Sequence, residues 1–251
     1  PPVSFWIRPA AMSEPTRISL SAATELLTAA LQKADVPEAT AQSVARALVA
    51  AEAEGQVGHG FSRLGDYVAQ VRSGKINVDA AIAVHHVGPA SLRIDAGLGF
   101  AYPAMEAALN AGIPLARETG IAIMGIANSH HCGALSIQVE KIAQAGLIGL
   151  MVANAPKAIA PWGAKEPLFG TNPIAFAVPQ DGADPLVVDM SLSKVARGKV
   201  MAAKKAGTQI PPNWALDVDG NPTTDPDAAL AGTMVPIGEA KGTALALMVE
   251  I

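Results

Sequence analysis

Residues 127–179, around which the rest of the chain is organised, read ANSHHCGALSIQVEKIAQAGLIGLMVANAPKAIAPWGAKEPLFGTNPIAFAVP. It holds two of the five histidines and the only cysteine of the chain. Apolar runs alternate in it with two blocks of small and polar residues, SHHCGAL and GTNP. Because loops carried on a rigid framework supply most binding and catalytic residues, the sequence predicts the functional site at these two blocks.

The first block follows an apolar run, residues 121–127, and passes into helix-compatible spacing. This pattern predicts a helix capped by Asn128 or Ser129, with Gly133 allowing a ligand to approach the positive N-terminal end. The alternative is an ordinary strand–turn–helix in which Ser129 caps and one histidine fills a packing gap. The second block, residues 170–173, predicts a tight turn whose side chains face the same cleft.

Outside this stretch, hydrophobic periodicity predicts helices over residues 19–34, with Ser21 as the cap, and over residues 37–54. The segment GQVGHGFSRLGDYVAQVRSG is expected to be a glycine-punctuated turn that runs into a third helix ending at Gly74. A hairpin of strands over AIAVHHV and SLRIDAG and a helix over residues 101–119 are expected to follow. The runs IAIMGIA, LIGLMVA, IAFAV and LVVDM indicate buried strands, and NPTTDPDAALAG indicates a loop. This order predicts a mixed α/β body behind a helical N-terminal subdomain.

The composition narrows the class of protein. Of the 251 residues, 50% are apolar and 16% are charged, a balance that predicts burial against a partner subunit. The formal net charge of −4, without any run of Lys or Arg, argues against nucleic acid as a partner. No apolar run has the length of a membrane helix, and the single cysteine fits a reducing cytoplasm.

A second candidate for chemistry is the segment GHGFSR, residues 58–63. His59 and Arg63 stand four residues apart, which on a helix places them on one face. Histidine exchanges protons near neutral pH, and arginine clamps a carboxylate with two parallel hydrogen bonds. The alternative is a surface turn in which Arg63 pairs with Asp66.

No GxGxxG segment follows any predicted strand, so the usual dinucleotide fingerprint is missing. Taken alone, this absence argues against a nicotinamide cofactor. A metal site is not predicted either. Adjacent ligands such as His130, His131 and Cys132 point apart, and the sequence offers no second cluster of metal ligands.

The blocks SHHCGAL, APWGAKEPLFGTNPIAFAVP, VVDMSLSKVARGKVMAAKKAG, IPPNWALDVDGNPTTDP and GEAKGTALALMVE resemble the malate/L-lactate dehydrogenase family of NAD(P)-dependent oxidoreductases. The resemblance covers nearly all of residues 18–251 and implies a non-Rossmann mixed sheet that binds NAD or NADP, and a homodimer. It implies three segments: an extension of unknown role over residues 1–17, a helical subdomain with the substrate and proton-transfer residues over 18–78, and an α/β domain over 79–251. That last domain is expected to be truncated at its C-terminus.

The resemblance also implies roles for individual residues. His59 falls on the family's proton donor, Arg63 on its substrate-carboxylate arginine and Thr171 on a substrate-contacting threonine. The positions that it matches to cofactor contacts are His131, Cys132, Gly133, Ala134, Leu135, Asp189, Met190, Ser191, Glu239 and Ala240. For Cys132 the alternative is a small buried apolar residue, and for Thr171 and residues 189–191 it is ordinary turn hydrogen bonding.

Arg197 and Lys199 occupy positions where imine-reducing members of the family tend to carry a histidine and an aspartate. Two cations suit a strongly acidic substrate, so this departure favours malate or sulfolactate over cyclic imines, with Arg197 as a substrate contact. The expected function is hydride transfer between NAD(P) and a small 2-hydroxy or 2-oxo carboxylate. The alternatives are reduction of cyclic 2-imino carboxylates and an inactive cofactor-binding fragment.

Overall fold

The computed structural model describes residues 17–251, so nearly all of the predicted extension lies outside the described residues. The α-helices of the described part are α1 (Leu20–Gln32), α2 (Glu38–Ala53), α3 (Leu64–Arg72), α4 (Ala101–Thr119), α5 (Ser136–Gln144), α6 (Arg197–Ala206), α7 (Pro226–Ala231) and α8 (Ala240–Glu250). Its strands are β1 (Ala83–Gly88), β2 (Ser91–Asp95), β3 (Ile123–Ala127), β4 (Gly149–Val152), β5 (Ile174–Gln180), β6 (Ala183–Met190), β7 (Ala215–Leu216) and β8 (Thr233–Met234).

The first three helices share one apolar core. Leu31 of α1 and Leu48 of α2 are fully buried, and Tyr67 of α3 packs into the same cluster. Burial of one such leucine stabilises the fold by about 1.5–3 kcal/mol. The cap of α1 is Ser19, whose Oγ accepts the amide hydrogen of Ala22, so the prediction of Ser21 as the cap is wrong.

The predicted hairpin is confirmed, since β1 and β2 pair antiparallel. Helix α4 then leads to β3, which pairs parallel with β2 and completes a sheet of order β1–β2–β3. Helix α4 packs closely on this sheet at Gly112, where a Cβ atom would collide with the side chain of Met124. The bounds predicted for α4 agree with the structure.

The second sheet, of order β4–β5–β6, is antiparallel throughout. On one face, Val139 of α5 packs with Ala175 and Ala177 of β5. The opposite face carries Leu150 and Val188, which are 67% and 44% exposed. The prediction that these strands are buried is therefore wrong for one face, because in the described chain a helix covers only the other face.

The last third of the chain forms a separate apolar cluster around Ile159, Leu192, Val200 and Met234. The predicted loop NPTTDPDAALAG contains the short helix α7, because Asp225 caps it by accepting the amide hydrogen of Asp227 and a proline stands at its first position. The mixed α/β class is confirmed, whereas a domain division at residue 78 stays a prediction. No helix within residues 17–251 is long and apolar enough to cross a membrane.

Candidate active site

The segment around His59 is a turn followed by a single 3-10 turn, Phe61–Arg63, and it leads into α3, as the prediction of a glycine-punctuated turn before the third helix expects. The backbone amide of His59 donates to the carbonyl of Gln56, and Nε of Arg63 donates to the carbonyl of Gly58 at 2.6 Å. The guanidinium also lies 3.7 Å from the exposed carboxylate of Asp66. The turn therefore brings His59 and Arg63 near each other, although helical spacing is not the reason.

The absence of a side chain at Gly60 allows this turn to pack against α2. Gly60 is buried, and a Cβ atom there would collide with the side chain of Glu52. The same carboxylate accepts the amide hydrogen of Phe61 at 2.8 Å. Glu52 thus holds the backbone immediately after His59.

That segment does not form the predicted capped helix. Asn128 adopts a left-handed conformation (φ 54°) and donates to the carboxylate of Asp95 at 3.1 Å, so its side chain points back to β2. Helix α5 begins only at Ser136, whose amide donates to Oδ2 of Asp189 at 2.8 Å. The prediction of a cap at Asn128 or Ser129 is wrong, because a carboxylate from β6 takes the place of a local cap.

Two histidine rings meet at this point. The rings of His59 and His131 are stacked, with centroids 5.7 Å apart and planes 9° from parallel. Nδ1 of His131 lies 2.8 Å from the hydroxyl of Tyr67, and that hydroxyl lies 2.9 Å from the hydroxyl of Tyr102. His130 turns away and packs edge-on against Tyr67, so the packing-gap alternative describes this histidine.

Both stacked histidines favour the neutral form. Burial, followed by the positive charge of Arg63 and then by His59, lowers the pKa of His131 to about 4. Burial and then Arg63 also lower the pKa of His59, while Asp189 acts in the opposite direction. At neutral pH the pair therefore offers uncharged imidazoles beside one permanent cation.

The residues after His131, which were predicted to contact the cofactor, are largely buried in the protein interior. Burial raises the pKa of Cys132, which is half-buried between two apolar clusters, as the alternative of a small buried residue expects. Gly133 has φ 70°, and a Cβ atom there would collide with the hydroxyl of Tyr102, so this tyrosine occupies the space predicted for a ligand. Ala134 and Leu135 are buried in the interior.

Two further groups of predicted site residues lie in the GTNP block and at the end of β6. Thr171 accepts the amide hydrogen of Leu192 with its carbonyl, and its neighbour Asn172 is fully buried, so the GTNP side chains do not all face one cleft. Met190 is 40% exposed at the end of β6. Ser191 and Ser193 join their hydroxyls at 2.9 Å, which agrees with the alternative of turn hydrogen bonding.

Three predicted residues make no hydrogen bond or ion pair with the stacked histidines in the described part of the chain. Arg197 starts α6 and donates to the carbonyl of Leu230 at 3.1 Å. Glu239, with φ 59°, leads into α8, which begins at Ala240. Their assignment to substrate or cofactor stays a prediction.

Sequence reasoning missed Tyr67 and Tyr102, although they are the only tyrosines of the chain. Tyr67 stands four residues after Arg63, so helical periodicity through the start of α3 is a signal that links them. No sequence pattern links Tyr102 to the site, because only the tertiary structure brings α4 close to Tyr67. Within residues 17–251, no group of three or more His, Cys, Asp or Glu side chains is arranged to hold a metal ion.

Comparison with known proteins identifies the family. The family model described as malate/L-lactate dehydrogenase matches residues 18–251. The chain is 56% identical over 234 residues to the (2R)-3-sulfolactate dehydrogenase (NADP(+)) of Chromohalobacter salexigens, covering 93% of this chain and 70% of that protein. It is 42% identical to a Δ1-pyrroline-2-carboxylate/Δ1-piperideine-2-carboxylate reductase of Pseudomonas putida, covering 94% of this chain and 69% of the relative.

Solved structures agree. The Δ1-piperideine-2-carboxylate reductase of Pseudomonas syringae superposes with a TM-score of 0.91 at 38% identity, covering 94% of this chain and 71% of that one. The sulfolactate dehydrogenase of Methanocaldococcus jannaschii gives 0.85 at 34% identity, covering 92% and 67%. The predictions of an oxidoreductase and of a nicotinamide cofactor are confirmed at the level of the family. The chain therefore belongs to the malate/L-lactate dehydrogenase family.

Proposed function

We propose that this protein transfers a hydride between NADP or NAD and a small 2-hydroxy or 2-oxo carboxylate, with 3-sulfolactate as the first candidate. The observation that carries the proposal is the stacked pair of His59 and His131 beside Arg63. The pair brings a proton-exchanging group and a carboxylate clamp into one place, as interconversion of an alcohol and a ketone requires. The identity to a sulfolactate dehydrogenase supports the choice of substrate.

Arg63 is suited to hold the carboxylate. Its Nε is bound to the carbonyl of Gly58, which fixes the plane of the guanidinium and leaves the terminal nitrogens for a two-pronged pair with a carboxylate. The contact with Asp66 is long, at 3.7 Å, and solvent-exposed, so it is a weak competitor. In this proposal His59, neutral at pH 7, takes the proton of the substrate hydroxyl in oxidation and returns it in reduction.

The surroundings fit the nicotinamide end of NAD(P), which supplies or accepts the hydride when it is bound. His131 and Cys132 offer a half-buried, uncharged surface. One carboxylate oxygen of Asp189 binds the amide of Ser136, which leaves Oδ1 without a protein partner within residues 17–251 as an acceptor for an amide or hydroxyl. A phosphate does not fit at the start of α5, because this carboxylate already lies there.

A second function, reduction of a cyclic 2-imino carboxylate, is favoured by the TM-score of 0.91 with a piperideine-2-carboxylate reductase. The two readings differ in what Arg197 is expected to do. In the first, its charge binds the second anion of sulfolactate or malate, so Arg197→Gln weakens these substrates about tenfold more than L-lactate. Lys205→Gln, at the other end of the exposed part of α6, is the matched control.

The experiment that tests the function uses the whole chain. Initial rates are measured with (2R)-3-sulfolactate, malate, L-lactate and Δ1-piperideine-2-carboxylate, each with NADP(H) and NAD(H), and NADPH binding is followed by fluorescence. Turnover of sulfolactate that is lost in His59→Gln supports the first proposal, and turnover of the cyclic imine alone supports the second. NADPH binding without turnover of any of them overturns both proposals and leaves only binding of the cofactor.

We further propose a cytoplasmic homodimer. One face of the second sheet presents an apolar row in which Leu150, Phe176 and Val188 lie opposite one another across three strands. A second row joins Val152 and Met190 across β5, so a continuous apolar surface adjoins a predicted cofactor residue. The lone cysteine supports a reducing compartment.

Light scattering tests the dimer. We expect twice the chain mass for the wild type, and a monomer or a mixture for Val188→Lys. Val87→Lys, an equally simple change at an exposed strand position of β1, is expected to leave the mass unchanged. A monodisperse wild-type monomer at micromolar concentration would contradict the proposal.

A further inference from the structure

Three polar groups form a chain inside the protein. The hydroxyl of Tyr102 contacts the hydroxyl of Tyr67 at 2.9 Å, and the hydroxyl of Tyr67 contacts Nδ1 of His131 at 2.8 Å. Both tyrosines are nearly inaccessible, with 3% and 1% of their surface exposed. Burial raises the pKa of Tyr67 to about 12, so its hydroxyl keeps its proton throughout the range in which enzymes are assayed.

Each proton in this series of hydrogen bonds can be assigned to one donor. Within residues 17–251 the hydroxyl of Tyr102 has no hydrogen-bond partner other than Tyr67, so its proton is satisfied only by donation to that oxygen. Tyr67 has one proton, which it then donates to Nδ1 of His131. A neutral imidazole that accepts at Nδ1 carries its own proton on Nε2.

The opposite arrangement leaves a donor unpaired. If Nδ1 of His131 carried the proton and donated to Tyr67, Tyr67 would donate to Tyr102, and the buried proton of Tyr102 would have no acceptor in the described chain. An unsatisfied buried donor shifts such an equilibrium by roughly tenfold or more. Satisfaction of every buried hydroxyl therefore favours the tautomer of His131 with its proton on Nε2.

Among the groups around His131 in the described chain, only the hydroxyl of Tyr67 determines which ring nitrogen carries the proton. The groups that act on it are Arg63 from the 3-10 turn, His59 from the preceding turn and its neighbour His130. None of them is an acidic group that accepts from Nδ1, and in the described chain Tyr67 is the hydrogen-bond partner of that nitrogen. A hydroxyl orients the ring without adding negative charge, so it leaves the imidazole neutral.

We propose that Tyr67 is a positioning residue that holds His131 as its Nε2–H tautomer, parallel to His59, so that His131 donates a hydrogen bond to a bound carbonyl or carboxamide oxygen. Nε2 has no protein partner within residues 17–251, and the ring is only half-buried, so this nitrogen is available to a ligand. The division of labour rests on the proposed function: His59 exchanges the proton, and His131 polarises an oxygen as a fixed donor.

The test is the tautomer itself, measured by long-range proton–nitrogen NMR on uniformly ¹⁵N-labelled whole chain at pH 8 without substrate. His131→Asn assigns the signals. We expect the wild-type ring to carry its proton on Nε2, and Tyr67→Phe to give a mixture of tautomers. Tyr102→Phe is the matched control: it also removes one buried tyrosine hydroxyl, but Tyr67 must still donate to Nδ1, so the Nε2–H form persists.

Two results overturn the proposal. One is a wild-type His131 that carries its proton on Nδ1, which needs no variant and therefore holds even if Tyr67→Phe fails to fold. The other is a folded Tyr67→Phe protein with an unchanged tautomer. Neither result depends on turnover, whereas failure of the proposed function is a chain that turns over none of the tested substrates while its tautomer is as expected.

Discussion

The rings of His59 and His131 lie parallel at a centroid distance of 5.7 Å, although one belongs to the turn after α2 and the other to the loop after β3. Two imidazolium cations at this distance would repel each other, and the guanidinium of Arg63 opposes the charged form of both. The stack is therefore an arrangement of neutral rings. The two histidines differ in their other contacts: Nδ1 of His131 contacts the hydroxyl of Tyr67, whereas within residues 17–251 no hydrogen bond reaches the ring of His59.

The first prediction concerns the unequal roles of these histidines. His59→Gln should lower kcat by roughly 10² to 10⁴, the usual effect of losing a positioned proton-transfer group, while the Kd for NADPH changes little. His85→Gln, at an exposed position of β1, is the control and should leave kcat unchanged. A folded His59→Gln protein with near-normal kcat would assign the proton transfer to another group, with His131 the first candidate.

The second prediction concerns the pH dependence of stability. The unfolded chain protonates His131 near pH 6.5, whereas the folded chain does so only near pH 4, so the unfolded state binds more protons between these values. Stability should therefore fall as the pH falls from 7 to 5, by roughly 2 kcal/mol from this residue. Lowered pKa values of His59 and His130 act in the same direction.

Urea unfolding at pH 7 and pH 5 measures this effect. His131→Phe should remove the larger part of the difference between the two pH values, whereas His85→Phe should retain it, because His85 is exposed on β1. An equal pH dependence in wild type and His131→Phe would mean that folding does not lower the pKa of His131, contrary to its burial beside Arg63.

The third prediction concerns Gly133. Gly133→Ala places a methyl group against the hydroxyl of Tyr102 and strains a backbone with φ 70°, whereas Gly146→Ala strains a similar backbone, φ 81°, with open space around it. We expect Gly133→Ala to lower the free energy of unfolding by about 1–3 kcal/mol more than Gly146→Ala. Adding Tyr102→Phe should recover part of this loss, and equal losses in the two single variants would refute the close contact.

Much of the fold follows from local pattern. The bounds of α4 and the β1–β2 hairpin could be predicted because hydrophobic periodicity and turn residues act over a few neighbouring residues. The start of α5 could not, because its first amide is bound by Asp189, a residue of a strand far along the chain. A local candidate cap, Asn128, is held instead by Asp95 of β2.

The candidate site likewise contains residues that the sequence predicts and residues that only the tertiary structure brings together. His59 and Arg63 were predicted from the kinds of residue and from family resemblance, and the turn that carries His59 was predicted from its glycines. The tyrosine chain to His131 was missed because it joins α3, α4 and the loop after β3, and a pattern along one chain segment carries no such information. Asn172, predicted to face a cleft, points inward for the same reason, since its partners lie on α8.

The fourth prediction follows from these partners of Asn172. Its Nδ2 donates to the carbonyl of Ala246 and to a carboxylate oxygen of Glu250, at 2.9 and 2.8 Å, while its Oδ1 accepts the amide hydrogen of Ala155. Asn172→Asp keeps the acceptor and the tolerance of a left-handed backbone, but it removes the donor and sets a second carboxylate against Glu250. We expect a loss of about 3–5 kcal/mol at pH 7.5, as for a buried charge without a partner.

The pH dependence of this variant separates charge from packing. Burial and the adjacent Glu250 raise the pKa of the introduced carboxyl in the folded state, so the folded variant takes up a proton as the pH falls and regains stability relative to wild type. The deficit of Asn172→Asp, measured by urea unfolding against wild type at each pH, should therefore shrink from pH 7.5 to pH 5. Asn154→Asp, the same change at an exposed position, should stay within about 0.5 kcal/mol of wild type at both values. A deficit in Asn172→Asp that does not change with pH would mean that the loss comes from displaced packing and not from the carboxylate facing Glu250.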